Sequence, residues 1–454
     1  MVENPEEKPC ITIRENDSWP DTDAEKEIAK KLKELDNQED NRRLEQLVDE
    51  KILERRHDDN KLNLKAGDRV GSAQFEMFRL NIIPKVFTEH EKIWGRVVRW
   101  IDYAERYDTW RDIEDVENEF EGNNERTLVD GIILCLVGMC NNLLRRGLLK
   151  AYKTYHETIP MLRGKMAIKE QILLDARLVP KFACEFDELD YDNMENRILL
   201  HTLHLCARVT KWKYVKKRIF GLVRQLESLQ VKHVNLTRNE LDKMERSYTR
   251  LNSHYRKPHS VCRQIIDAMA IADFYSGDAE YTVPIFVSMH KTFEGFVERL
   301  FEDYTGDEIN VQAQKNEKAW TSIDGKKVEK NQKPDIVLRQ DNKPPEIVDM
   351  KYKKDLDADD LYQLGFYMHE LDKDAHVDHS FAIMPKYNKE KVGGPYKAWN
   401  TGVQVYEKHI NLDDFSSIIY GDLDDAEKAR MLGGTALEFL GDAAARRLLE
   451  ARGS

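Results

Sequence analysis

The chain has 454 residues, 41% of them hydrophobic and 34% charged, with a formal net charge of −12. That length is enough for about two or three domains with cores of their own, and a mean hydropathy of −0.67 fits a soluble globular protein. The acidic balance excludes a uniformly basic nucleic-acid binder, so the distribution of charge says more than its sum.

Residues 1–60 carry 19 acids against 11 bases and little apolar periodicity beyond helical stretches near Asp23–Leu35 and Leu44–Leu53, which reads as a charged, partly ordered leader. A small β-rich module is expected from Lys61 to Phe87, on the strength of Leu62-Asn-Leu64, the turn-like Gly67-Asp68 and the strand around Arg79–Ile83. Helical periodicity then dominates, over about 89–106, 126–150, 194–209, 213–230 and 237–275. The longest uncharged run, Gly131–Leu144, is shorter than a membrane span and contains Asn141 and Asn142, so a buried helix is expected and no membrane association. No basic-then-apolar leader is read at the start of the sequence, so a cytoplasmic location is expected and the Asn235-Leu-Thr237 sequon is read as a chance match. Six scattered cysteines (Cys10, Cys135, Cys140, Cys184, Cys206, Cys262) form no Cys-x-x-Cys pair, so reduced thiols are expected rather than zinc or disulfides.

Charge reverses in residues 206–263, with 15 Lys and Arg against 4 acids. Lys213, Lys216, Lys217 and Arg218, interleaved with Trp212 and Tyr214, are the candidate DNA-phosphate contacts; the plain alternative is a solvated helix face.

Gly277-Asp278 marks a break before a different pattern: helix 287–304, strands near 308–314, 334–340 and 346–352, helix 359–371 with Asp357 to Asp360 as its N-cap cluster, and strand 380–384. A short connection between the second and third of these strands returns Asp335 to the neighbourhood of Asp349, while Asp349 and Lys351 share one strand face. Two carboxylates with a lysine beside them suit a Mg2+-dependent phosphodiesterase, the acids holding a hard cation and the lysine offsetting charge in the transition state. Solvated acids on a sheet edge are the bland alternative. Glu294 lies at the border of the apolar stripe Phe293, Phe296, Val297, Leu300 and Phe301, where it can reach a third metal-ligand position; Glu298 is a weaker candidate. Gln363 and Tyr367, one turn apart, contact either the site or the nucleic-acid backbone, or else are ordinary surface residues.

This element order, with Phe293-Glu294, Pro334-Asp335, Asp349-Met-Lys351 and Gln363-x3-Tyr367, resembles the PD-(D/E)xK nuclease core. The chain as a whole resembles the McrC family, the nuclease subunit of the McrBC modification-dependent restriction system. That narrower likeness rests on Leu80-Asn-Ile-Ile-Pro-Lys-Val86, Leu162-Arg-Gly-Lys165 and the acidic stretch leading to Asn196-Arg197, and it covers about residues 62–410. It implies an α+β multidomain chain: a leader (1–60), a β-rich module and helical region (61–276) for partner and DNA contacts, and a PD-(D/E)xK endonuclease domain with a mixed sheet (277–454). It also implies that Glu294, Asp335, Asp349 and the Met350 carbonyl hold Mg2+, with Mn2+ as a substitute, and that Lys351 and Gln363 complete the catalytic group. Double-stranded DNA is the implied substrate, with Tyr367 among its contacts. An McrB-like AAA+ GTPase hexamer is the implied partner, docked somewhere around residues 80–130. Gly67-x3-Gly71-Ser72 lacks the lysine and spacing of a P-loop, so no nucleotide is expected on this chain itself. Two other readings stay open: a non-catalytic adaptor that activates an AAA+ motor, and a stand-alone DNA-repair nuclease.

Overall fold

The computed structural model describes residues 10–19, 38–58, 61–75, 78–87, 93–109, 127–275, 284–304, 309–314, 317–320, 330–339, 345–370, 377, 379–387, 395–400, 402–420, 427–428 and 431–432. Two compact units are present, one built from residues 1–131 and 284–454, the other from 132–283. In chain order the elements are β1 (Cys10–Arg14), β2 (Ser18–Trp19), α1 (Gln38–Asp49), β3 (Leu53–Asp58), β4 (Lys61–Ala66), β5 (Arg69–Gln74), β6 (Arg79–Ile83), α2 (Ile93–Ala104) and α3 (Leu128–Arg146). Next come β7 (Ala151–Ile159), β8 (Lys165–Met166), α4 (Ile168–Ala176), β9 (Phe182–Asp190), α5 (Met194–Val209), α6 (Lys213–Ser228), α7 (Arg238–Arg246) and α8 (Arg256–Tyr275). The chain then forms β10 (Ile285–Ser288), α9 (Met289–Tyr304), β11 (Asn310–Ala313), β12 (Glu317–Trp320), β13 (Lys330–Gln332), β14 (Ile336–Arg339) and β15 (Glu346–Met350). It ends with α10 (Ala358–Glu370), β16 (His379–Pro385), β17 (Tyr396–Lys397), β18 (Gln404–Ile410) and α11 (Leu412–Tyr420).

In the first unit, β1 pairs in parallel with β6 and extends a four-stranded sheet, β1-β6-β5-β10. Ile11 and Ile13 alternate inward along β1 and join Trp19, Leu64, Leu80 and Ile82 in one core, closed by Leu44 and Leu47 of α1. The expected, partly ordered leader thus supplies β1, β2, α1 and β3 to this core: an alternating apolar pair in a charged context makes a core strand. The helix expected at Asp23–Leu35 lies outside the described residues. Gly71 is where β10 docks on β5, because a Cβ there would stand 2.1 Å from the Ile285 carbonyl oxygen.

A six-stranded mixed sheet, β11-β14-β15-β16-β18-β17, follows. β11, β14 and β15 run antiparallel, β15, β16 and β18 run parallel, and β17 closes the edge antiparallel. α10 covers β15 and β16, with Leu364 and Met368 packed among Ile347 and Ala382. α9 packs on α2, where the Tyr103 and Phe296 rings meet at 4.8 Å.

The second unit is a helical body, α5 packing against α6 and α8, with an antiparallel arm of β7, β9 and short β8 carrying α4. Two of the singled-out motifs build it. Gly164 sits at φ +67°, where a Cβ would clash with the Glu185 carbonyl at 2.4 Å, and Arg163 lies over the Phe186 ring at 4.2 Å. Asn196, fully buried, donates to the Leu149 and Tyr191 carbonyls, and Arg197 forks onto Asp192 with both bonds at 2.6 Å.

The helical stretch expected over 237–275 consists of α7 and α8, separated by a segment with a 3-10 turn at Ser253–Tyr255, where Asn252 accepts from the Thr249 amide. Two points differ from expectation. Helix α3 is 19 residues, so length does not exclude a membrane span; what marks it as a core helix is that 72% of its apolar window is buried. The arm strands β7 and β9 and helix α4 had no counterpart among the expected elements.

Candidate active site

Antiparallel pairing of β14 and β15 sets Ile336 opposite Val348, so Asp335, just ahead of β14, faces Asp349. The two carboxyls lie within hydrogen-bonding reach of each other, and Asp335 Oδ2 accepts from the Met350 amide at 2.7 Å. Asp349 is 2% exposed. Burial and the neighbouring Asp349 push the Asp335 carboxyl up to about 7. Met350 contributes its amide to the site, and its side chain is buried.

Lys351 leaves the same strand end toward the acids. Its Nζ stands 2.7 Å from Asp349 Oδ2, 3.5 Å from Asp360 Oδ1 and 2.8 Å from Gln363 Oε1. Burial works to lower the lysine's pKa, but Asp349, Asp360 and Asp335 outweigh it, and the ammonium is held above its ordinary value. Gln363 in turn donates to the Tyr367 hydroxyl at 2.8 Å, so a chain of contacts runs from the acid pair to α10. Tyr367 is 7% exposed and works inside this chain.

Glu294 on α9 takes a partner of its own: His290 Nδ1 lies 3.1 Å from its Oε1, and that bond raises the imidazole's pKa. Glu294 and Asp335 share an open cleft of about 490 Å3, with Lys291, Glu298, Gln314 and Lys333 also on its wall. Among the described residues, no three His, Cys, Asp or Glu side chains already converge on a common point as a closed ligand set. What does converge is the Asp335–Asp349 pair, one half-buried and one buried acid, with Glu294 lining the same cleft as Asp335 and adding its charge. Such a donor set fits a hard divalent cation, which relieves the repulsion that drives Asp335 upward.

Asp360 and His290 did not stand out in the sequence. Asp360 was legible only as part of the N-cap cluster of α10, and it does cap: its Oδ2 accepts from the Asp357 amide while its own amide donates to Asp357 Oδ1, both at 3.0 Å. The same carboxylate binds Lys351 and Lys353. Lys213, Lys216, Lys217 and Arg218 open α6 in the other compact unit, with Lys213 and Lys217 exposed and Arg218 against the Tyr214 ring at 5.6 Å.

Fold and site thus describe a mixed α/β chain with an acid–acid–lysine group at the end of paired strands. Residues 64–377 match the model of the family described as McrBC 5-methylcytosine restriction system component, and the chain belongs to that family. Its fold is that of a solved half-complex from a tetradecameric assembly of Thermococcus gammatolerans McrB AAA+ hexamers with bound McrC, at a TM-score of 0.62 and 22% identity, covering 94% of this chain and 100% of that one. A cryo-EM structure of the Thermococcus gammatolerans McrBC complex is also similar, at a TM-score of 0.43 and 25% identity, covering 64% of this chain and 87% of that one. No curated protein matches the chain.

Proposed function

We propose that this chain is the Mg2+-dependent DNA endonuclease subunit of an McrBC-type restriction complex, with a PD-(D/E)xK core, working with an McrB-like AAA+ GTPase. The carrying observation is the Asp335–Asp349–Lys351 group: a half-buried and a buried acid within hydrogen-bonding reach of each other, with an ammonium 2.7 Å from the buried one. A divalent cation held by Asp335, Asp349 and Glu294 would supply Lewis acidity for attack on a phosphodiester. The chain's own residues do the rest. Lys351, kept charged by three acids, faces the position where negative charge grows on the phosphate. Gln363 fixes the direction of that amine, and Tyr367 fixes Gln363. Lys291 and Lys333 on the cleft wall suit the backbone of the DNA strand being cut.

Partner contact is assigned to the arm of the second unit in preference to residues around 80–130. Among the described residues of that stretch Val97, Val98, Trp100, Ile101 and Tyr103 are buried, and residues 88–92 and 110–126 lie outside the described residues. On the arm, Met161, Ile168, Ile172, Leu173 and Leu178 are each more than half exposed, an apolar surface that a monomer in water does not favour.

The test is cleavage of methylated and unmethylated plasmid in Mg2+, by the chain alone and with its AAA+ partner and GTP. Cutting only in the complete mixture, abolished by Asp349→Ala and by chelation, is the expected result. Faster GTP turnover without cutting in any mixture would make the chain an adaptor, and cutting by the chain alone would make it an independent nuclease.

A further inference from the structure

Tyr352 follows Lys351 directly, yet it turns into the core, where it is 5% exposed. Its ring meets that of Phe293 at 5.8 Å, tilted by 45°. Phe293 is the neighbour of Glu294, so one buried ring touches the elements that carry both the lysine and the third acid. Lys85, from the Ile83-Pro84-Lys85 segment singled out in the sequence, places its Nζ 4.4 Å from the Tyr352 ring centroid and donates to the Tyr352 carbonyl at 2.6 Å. Lys85 is anchored in turn, its amide donating to Glu15 Oε1 at 3.0 Å. Glu15 is 1% exposed and sits just past β1, its own amide bonded to the Ile83 carbonyl at 2.9 Å.

The placement matters because the ladder ends there. β15 stops at Met350, the Lys351 amide makes one more bond to the Ile383 carbonyl at 2.9 Å, and the chain then loops toward α10. A catalytic lysine on the last rung of a strand is free to swing unless the next peptide is fixed. A half-buried amine is costly unless matched, and this one is matched by a carbonyl and a ring face, while Glu15 holds the Lys85 backbone amide.

We infer that Glu15, Lys85 and Tyr352 form a strap that positions the end of the catalytic strand against α9 and so keeps Lys351 on Asp349. These are positioning residues: they act through Lys351 and Glu294. The catalytic consequence rests on the nuclease reading above, whereas the strap itself is a statement about the strand end and can be tested separately.

The experiment compares the full chain with Lys85→Met, which keeps the aliphatic stem over the ring but removes the donor, and with Lys85→Arg and Glu15→Gln. Hydrogen exchange of the peptide covering residues 346–357 should lose about tenfold of its protection in Lys85→Met, while the helical unit keeps its own. Single-turnover cleavage at saturating DNA, in the complete mixture with the AAA+ partner and GTP, should fall roughly 10–100-fold, with DNA affinity measured in Ca2+ unchanged and Lys85→Arg restoring most of the rate. Unchanged protection would overturn the strap. So would lost protection with an unaltered cleavage rate, or a loss of DNA affinity and melting temperature together, which would make Lys85 a general fold residue. If the unsubstituted chain shows no metal-dependent cutting even with its AAA+ partner and GTP, the nuclease reading fails while the exchange result still decides the strap.

Discussion

At the residue scale the site is organised around one lysine. Lys351 is matched by Asp349 and Asp360, whose side chains are 3% and 7% exposed, so replacing it with methionine strips the buried Asp349 of its cation and leaves Asp360 only Lys353. Breaking such a pair from one side costs about 3 kcal/mol, less whatever protonation of the acids recovers. Lys351→Met should therefore lose cleavage and also unfold earlier in urea. Gln363 makes the contrasting case. It is exposed on α10 and only aims the amine, so Gln363→Ala should reduce cleavage by roughly tenfold while leaving stability within about 0.5 kcal/mol. Equal stability losses in the two variants would mean that the lysine is held for structure and not for chemistry.

At the element scale, two features of the second unit and the N-terminal sheets carry predictions. His259 on α8 is 5% exposed, with Nε2 2.9 Å from the Glu195 carbonyl and Nδ1 2.8 Å from the Tyr248 hydroxyl. The carbonyl can only accept, so Nε2 carries the proton and Nδ1 accepts from Tyr248: a neutral ring with both nitrogens satisfied. The Tyr255 ring, Cys262 and Arg256, the last lying over Tyr248, complete its surroundings. Burial lowers its pKa to about 4, below the unfolded value of 6.5. The unfolded chain therefore binds the extra proton first. Stability from this group is complete above pH 6.5 and is lost as pH falls toward 4, on the order of 3 kcal/mol in all. His259→Gln should flatten that part of the stability–pH curve in chemical denaturation; an unchanged slope would assign it to other groups. In the N-terminal sheet, Gly71→Ala drives a Cβ into the Ile285 carbonyl, and a loss of about 1–3 kcal/mol is expected, with β10 the first element to lose exchange protection. These elements were unequally legible. The acid–acid–lysine hairpin could be read because strand alternation fixes which side chains share a face. β1 could not, because two isoleucines in an acidic leader become a core strand only when β6 pairs with them. Asp360 read as a helix cap and nothing more, since no sequence pattern shows that a cap will reach across a loop to Lys351. The helix of the arm escaped for the opposite reason: Ile168, Ile172 and Leu173 have the spacing of ordinary core positions, and only the fold reveals that they face solvent.

At the scale of the whole molecule, the two compact units divide the chemistry. The acid–acid–lysine site lies wholly in the unit made of residues 1–131 and 284–454, and the exposed apolar arm lies wholly in the unit 132–283. The arm is braced at its root. Lys153 and Arg197 converge on Asp192, whose carboxyl they hold well below the usual range, and the Lys232 amide adds a third bond. A rigid base under an apolar tip is what a docking element needs, because little ordering cost remains at the moment of contact. Replacing tip residues should therefore separate partner work from chemistry. Ile172→Glu with Leu173→Glu puts two charges on side chains that are already about 60% exposed, so the melting temperature should stay within about 2 °C. If the arm docks on the AAA+ partner, the double variant should lose at least tenfold in partner affinity by interferometry, together with stimulation of GTP turnover. Asp349→Ala should show the reverse pattern, full stimulation without cutting. Should the tip variant bind and stimulate normally, the partner surface lies elsewhere in the chain, and the exposed apolar tip needs another occupant.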